Sequence, residues 1–302
     1  MITHLLTRID LQMNTFSKGQ KRIASYIEEH YDKAAFMTAS KLGETVGVSE
    51  STVVRFATEI GYDGYPKLQK AMQEMIRDKL TSVQRIEVTS TRIGEDDVLT
   101  SILNQDIDKI RRTLDETDHE DFKKAVKSIV NAKTIYIFGV RSTASLAQFL
   151  GYYLQLMFDN VRIITTTSHN QTYEQMFRIS KDDVLIGISF PRYSNMAVDA
   201  MRFARDRGAD VIAITDSMIS PLVANADQVL LARSDMASIV DSLVAPLSLI
   251  NALIVAAVLE RKDEVSETFR QLEEVWNSQE IYANRSDVIK KDLEVAVSEN
   301  EE

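Results

Sequence analysis

Two short helices can cross at close range only where a residue without a side chain lets their backbones approach. The stretch Leu42-Gly43-Glu44-Thr45-Val46-Gly47-Val48-Ser49-Glu50-Ser51-Thr52-Val53-Val54-Arg55-Phe56 has such a residue at the interval a helix-turn-helix demands. Gly43 is the point of approach, Gly47 the turn residue that tolerates positive φ, and Leu42, Val46, Val48, Val53 and Phe56 are the apolar pegs beneath. Ser49 stands where the N-cap of the second helix belongs, and that helix is predicted over 50–60. It begins with an exposed polar end, and the spacing assigns Ser49, Glu50, Ser51, Thr52 and Arg55 to the major groove of duplex DNA or its flanking phosphates.

Around this motif the pattern stays helical. A helix is predicted over 17–31, with Ile23, Tyr26 and Ile27 on one side and Lys18, Lys21 and Arg22 near its start; helices over 38–46 and 50–60 follow. The turn formers Gly61-Tyr62-Asp63-Gly64-Tyr65-Pro66 lead into a further helix over 67–80 carrying Leu68, Met72, Met75 and Ile76. Residues 1–80 thus read as an all-α DNA-binding domain. Over 81–97 periodicity fades into Ser, Thr and charge, the composition of a linker.

A net charge of -10 is unfavourable for a DNA-reading protein until it is divided along the chain. Residues 1–80 hold 11 Lys+Arg against 10 Asp+Glu, leaving 24 against 35 for the remainder. The acidic part repels phosphate and confines DNA contact to the first domain.

From residue 98 onward helices are predicted over 98–117 and 119–130, and then the period changes. Short apolar runs at 134–138, 161–164, 184–188, 211–214 and 228–231 alternate with helical stretches, one of them over 144–158. Such alternation implies an α/β domain, a five-stranded parallel sheet flanked by helices, over 98–280. Several of these runs end in small or hydroxylic residues, Gly139, Thr165, Ser189 and Thr215, at the edge where open α/β sheets bind ligands. The acidic stretch 281–302 reads as a solvated tail.

Two of the strand-to-helix loops carry chemistry. Gly139-Val140-Arg141-Ser142-Thr143 combines a small residue, hydroxyls and a guanidinium, a set suited to an anion but equally found in an ordinary turn. Ser189-Phe190-Pro191-Arg192-Tyr193-Ser194 repeats the combination after a neighbouring strand, and convergence of the two favours an anionic small ligand; a surface ion pair is the plainer role for Arg192. His169 follows the second strand and either hydrogen-bonds a sugar hydroxyl or caps a helix. Asp216-Ser217 and the stretch 234–238 either complete the pocket or cap the next helix.

The chain has no cysteine, which excludes disulfides and thiolate metal sites and fits a reducing, cytoplasmic setting. His4, His30 and His119 lie apart, so no metal site and no cofactor are expected. No secretion signal is read in Met1-Ile2-Thr3-His4-Leu5-Leu6. The longest apolar run, 239–259, is interrupted by Asp241, Ser242, Pro246 and Asn251, and is expected to be a buried or dimer-forming helix rather than a membrane span.

With these motifs together, the chain resembles the RpiR family of bacterial transcriptional regulators, which join an N-terminal helix-turn-helix domain to a C-terminal SIS (sugar isomerase) domain. The likeness spans roughly residues 5 to 280 and is carried most specifically by Val48-Ser49-Glu50-Ser51-Thr52-Val53-Val54-Arg55-Phe56 followed by Ile60-Gly61-Tyr62-Asp63-Gly64-Tyr65. The resemblance implies that Ser142 stands where relatives place a hydroxyl after their first glycine-rich turn, Ser189 and Ser194 where they place phosphate-binding hydroxyls, and His169 where some touch the sugar. Three positions depart from it: Arg141 takes a glycine place, Pro191 a serine place and Arg192 a glycine place. The expected ligand set is therefore Gly139, Arg141, Ser142, Thr143, His169, Ser189, Arg192, Tyr193 and Ser194, holding a phosphosugar or a sugar acid. The resemblance implies a non-enzymatic regulator of carbohydrate genes that binds a double-stranded DNA operator as a homo-oligomer, dimer or tetramer. The alternative is a sugar-phosphate isomerase or lyase, for which His169 is the one histidine near the predicted ligand edge.

Overall fold

A computed structural model describes residues 5–76, 83, 85–86, 97–234 and 240–282. The chain divides into two compact units, Met1–Arg112 with Arg233–Ala245, and Thr113–Ala232 with Pro246–Glu302.

In the first unit, five helices surround one apolar core: α1 (Leu5–Gln12), α2 (Lys18–Ala34), α3 (Ala39–Val46), α4 (Glu50–Glu59) and α5 (Tyr65–Ile76). Two of the helix starts have a clear local cause. Ser17 closes a capping box, its amide donating to Gln20 Oε1 at 2.9 Å while its hydroxyl accepts from the Gln20 amide, and Thr38 accepts from the Lys41 amide at 3.1 Å. Ile9, Ile23, Ile27, Leu42, Val53, Phe56, Leu68 and Met72 are fully buried in one cluster, and the expected pegs Val46 and Val48 pack partly buried against it. Gly43 and Gly47 serve as the spacing requires. A Cβ on Gly43 would lie 2.8 Å from the Val48 carbonyl oxygen, and Gly47 caps α3 at φ 70°.

Four features differ from expectation, one being that α5 starts at Tyr65 rather than at residue 67. α1 falls outside the predicted helices; its Leu5 and Ile9 contribute to the core. α2 continues to Ala34 because the chain tolerates a kink at His30 (φ -137°, ψ 38°) and resumes. Within the expected linker, Arg85 is fully buried and donates to Asp241 Oδ1 at 2.7 Å, so that residue is held by a partner 156 positions away. The rest of the linker apart from 83, 86 and 97, the end of the helix expected to reach residue 80, the segment 235–239 and the tail from 283 lie outside the described residues.

The first unit also contains most of α6 (Val98–Glu116). The second is a parallel sheet with helices: α7 (His119–Asn131), β1 (Ile135–Gly139), α8 (Thr143–Gln155), β2 (Val161–Ile164), α9 (His169–Met176), β3 (Val184–Ile188), α10 (Asn195–Asp206), β4 (Asp210–Thr215), a 3-10 turn (Val223–Asn225) and β5 (Gln228–Leu231). All five expected strands are present, and α11 (Val244–Glu260) and α12 (Lys262–Ser278) follow. The strand order is β2-β1-β3-β4-β5, all parallel. β1 and β3 are buried at every position, as strands covered on both faces must be. On one face Phe138, Leu185, Val211 and Ala213 pack with Met176 of α9 and Ala197, Ala200 and Met201 of α10. On the other, α8 approaches Ile137 and Ile163 closely through Gly151. Among the described residues no single helix is long and apolar enough to cross a membrane.

Candidate DNA interface and effector site

The start of α4 is polar and open. Ser49, Glu50, Ser51 and Arg55 are exposed and Thr52 is half-buried, while Val53 and Phe56 of the same helix are fully buried. The backbone of Ser49 has the extended geometry of an N-cap (φ -75°, ψ 153°), yet its hydroxyl makes no cap bond. It is shared instead with Ser51 Oγ at 2.9 Å and Thr52 Oγ1 at 2.8 Å. The first-turn amides of α4 are thus left without the Ser49 hydroxyl as acceptor, and three hydroxyls form a cluster at the helix entrance. Arg55 Nε donates to the Ser51 carbonyl at 3.3 Å, which rests the guanidinium along the exposed face.

In the second unit the strand order sets the site. From β1 the chain crosses to β2 on one side, and from β3 it crosses to β4 on the other, so the order in which strands are added reverses between β1 and β3. Open α/β sheets hold ligands in the crevice at the carboxyl ends of such a pair. Gly139 is paired in register with Ile188, so the loops from Val140 and from Ser189 leave the sheet side by side, about 4.8 Å apart. The two loops rich in hydroxyls and arginine are therefore brought together.

Within them the residues separate by role. Thr143 is buried, and its hydroxyl closes the first loop, accepting from the Val140 amide at 3.1 Å and donating to the Val140 carbonyl at 2.9 Å. Gly139 permits this tight turn, since a Cβ there would lie 2.6 Å from the Thr143 carbonyl oxygen. Ser189 is likewise buried and accepts the Ser194 amide at 3.1 Å, bracing the second loop. Thr143 and Gly139 thus build the site, with Ser189 partly committed to the same task. Ser142 is exposed and Ser194 half-buried at the starts of α8 and α10, neither hydroxyl capping its helix. Tyr193 donates to Asp216 Oδ1 at 2.8 Å, tying the second loop to the end of β4. Asp216, 1% exposed, joins the site by this bond; it was one of the residues with two open roles, and only the fold brings it to Tyr193. Its companion stretch goes elsewhere: Ser234 donates to the Ser242 carbonyl at 3.0 Å within the first unit.

Arg141 and Arg192 are exposed, and neither side chain has a hydrogen bond or ion pair among the described residues. Both lie in the left-handed region, at φ 57° and φ 56°. His169 begins α9 at the same edge but faces α10, its Nε2 3.8 Å from Asp199 Oδ2, while Oδ1 of the same carboxylate pairs with Arg202 at 2.5 Å. No cluster of three or more metal-ligating side chains occurs among the described residues.

Comparison with known proteins places both units. The helix-turn-helix domain of the rpiR family matches residues 3–79, and the SIS domain matches residues 128–256. This chain belongs to the RpiR family. An HTH-type transcriptional regulator of Caldanaerobacter subterraneus subsp. tengcongensis is 26% identical over 290 residues, covering 93% of this chain and 99% of that one. One of Haemophilus influenzae is 26% identical over 233 residues, covering 75% and 79%. Among solved structures, the sugar isomerase domain of an RpiR transcription factor from Sphaerobacter thermophilus is 26% identical with a TM-score of 0.55, covering 58% of this chain and 97% of that one. The fold is shared along nearly the whole chain with Vibrio vulnificus NanR in complex with ManNAc-6P (22% identical, TM-score 0.56, 93% and 100% covered).

Within this RpiR chain the departures at Arg141 and Arg192 acquire a structural meaning. Both residues stand where the family resemblance expects glycine, and both keep a glycine's backbone geometry despite bearing a side chain. An L-residue in this conformation costs roughly 1–2 kcal/mol, a strain concentrated in the two loops of the crevice.

Proposed function

We propose that this RpiR-family chain is a ligand-responsive transcriptional regulator of carbohydrate genes. α4 reads a double-stranded DNA operator through Ser49, Glu50, Ser51, Thr52 and Arg55, and the crevice between β1 and β3 takes an anionic sugar, a phosphosugar or sugar acid. Ser142, Ser194 and Ser189 donate to the anion, Arg141 and Arg192 neutralise it, and Tyr193 and His169 border the sugar. One observation carries the reading: two guanidinium groups with no partner among the described residues stand on the two loops at the sheet's reversal point, in the acidic part of the chain. Free cations there are otherwise costly in backbone strain and unrewarded. The ManNAc-6P held by NanR supports a phosphosugar as the ligand class.

In this reading the chain has no turnover; it works in the cytoplasm as a homodimer or tetramer. The deciding experiment is a thermal-shift screen of sugar phosphates, sugar acids and their neutral parent sugars, with NMR of each stabilising ligand after incubation. An anionic sugar at 100 times its dissociation constant should stabilise by about 2.7 kcal/mol and remain chemically unchanged. A responsive ligand that is uncharged, or one converted to an isomer, overturns the reading.

A further inference from the structure

The helix-turn-helix leaves unexplained why α2 begins with so much positive charge. Lys18, Lys21, Arg22 and Ser25 fall at i, i+3, i+4 and i+7, a single stripe along the helix, and all four are exposed. Two features fix where that stripe lies. A Cβ on Gly19 would stand 3.3 Å from Val48 Cγ1 and 3.5 Å from Thr52 Cγ2, so the first turn of α2 rests on the turn and the start of α4. One turn on, Arg22 Nη2 donates to the Gly47 carbonyl at 2.9 Å. The stripe therefore borders the Gly47 to Thr52 segment, the end of α4 assigned to the major groove. Lys21, Arg22 and Ser25 line, with Thr45, Glu29 and His30, a concavity of about 390 Å³.

The charge on this stripe is uncompensated. Neither Lys18 nor Lys21 has a side-chain hydrogen bond or ion pair among the described residues, whereas Lys41 pairs with Glu44 at 2.8 Å and Lys109 with Asp106 at 2.9 Å. In a domain with nearly balanced charge, DNA affinity depends on where unneutralised cations stand, since binding the backbone is a local replacement of counterions. Here they flank the reading helix.

We propose that Lys18 and Lys21 bind the DNA backbone phosphates beside the groove that α4 enters, with Arg22 bracing the Gly47 turn that precedes α4. The proposal rests on the reading of α4 as the DNA-reading helix. It assigns α2 the sequence-independent share of binding: phosphate contacts set register, while Arg55 and its neighbours discriminate bases.

The test is the salt dependence of binding to two duplexes of about 30 base pairs, one of random sequence and one selected from a random pool by the wild-type protein. For Lys18→Gln/Lys21→Gln, the slope of log affinity against log salt should become shallower by about 1.8, since each phosphate that a lysine neutralises adds about 0.9. Affinity should drop by the same factor for both duplexes, leaving their ratio unchanged. Lys18→Arg/Lys21→Arg should keep the slope, as should Lys67→Gln/Lys70→Gln on exposed α5 positions. An unchanged slope in the first variant, or an equal fall in the α5 control, overturns the proposal while leaving α4 as the reader. Wild-type protein that holds neither duplex at low salt overturns the DNA reading itself. Circular-dichroism melting of each variant, expected to match wild type, keeps folding separate from binding.

Discussion

Arg141 and Arg192 keep backbone conformations that glycine adopts freely. Replacing Arg192 with glycine removes the steric cost but returns roughly 0.5–1 kcal/mol of backbone freedom to the unfolded chain, so the two terms largely cancel. Arg192→Gly is therefore expected to melt within about 1 kcal/mol of wild type while losing most of its ligand-induced stabilisation. Arg192→Lys should also respond weakly, because an ammonium cannot reproduce a planar fork. Full ligand response in the glycine variant removes Arg192 from the anion. The serines behave differently from one another. Ser142 is exposed and its hydroxyl caps nothing, so Ser142→Ala should weaken ligand response by roughly 0.5–3 kcal/mol and leave unliganded stability unchanged. Ser189→Ala strands the Ser194 amide as well, and should lower unliganded stability by about 1–3 kcal/mol, visible by denaturant titration before any ligand is added. Equal unliganded stability in the two variants contradicts the bracing role of Ser189.

At the scale of elements, the approach of α3 to α4 is the feature most sensitive to one added atom. A methyl on Gly43 meets the Val48 carbonyl at 2.8 Å, and backbone cannot swing aside as a flexible side chain can. Gly43→Ala should destabilise the first unit by roughly 1–3 kcal/mol and lower DNA affinity through the displaced reading helix; a melting temperature equal to wild type contradicts the close approach. This element was legible because glycine spacing and pegs are local in sequence. The five strands were legible for a similar reason: apolar runs such as Val184-Leu185-Ile186 have no polar alternation to mislead. α1 was not, since eight residues, Leu5 to Gln12, are too few to show a clear helical period and gain their place only by burying Leu5 and Ile9 in a core made elsewhere. The start of α5 was placed late because Pro66, read as a turn former, sits acceptably in a first helical turn. In the crevice, residue types showed where anion chemistry gathers but not how hydroxyls divide their labour. Thr143 and Ser189 are committed by loop closure, and Asp216 by Tyr193 lying 23 positions away.

At the scale of the whole molecule, a regulator must convert ligand binding into a change in DNA affinity, and only differential affinity between two arrangements does so. A symmetric pair of chains supplies such arrangements, because two α4 helices must match half-sites one helical turn apart, roughly 34–36 Å, or a multiple of it. The described surface carries apolar side chains for pairing. Val244, Val255 and Leu259 are exposed on one stripe of α11, and α6 exposes Leu99, Leu103, Ile107, Ile110 and Leu114 at successive intervals of four, four, three and four. Light scattering at micromolar concentration should therefore give at least twice the chain mass of 34.1 kDa, and Val255→Asp/Leu259→Asp should lower it. A strictly monomeric wild type contradicts the pairing. A dimer untouched by the double substitution moves the contact from α11 to another surface, with the α6 stripe next to be tested. Linkage adds a quantitative check on the paired protein. If the sugar anion changes operator affinity tenfold, saturating operator must change anion affinity tenfold in the same direction, a coupling of about 1.4 kcal/mol whichever ligand is added first. Calorimetric titration of the anion with and without operator measures that factor, and a factor of one means that the sugar anion and the operator are not coupled through this protein.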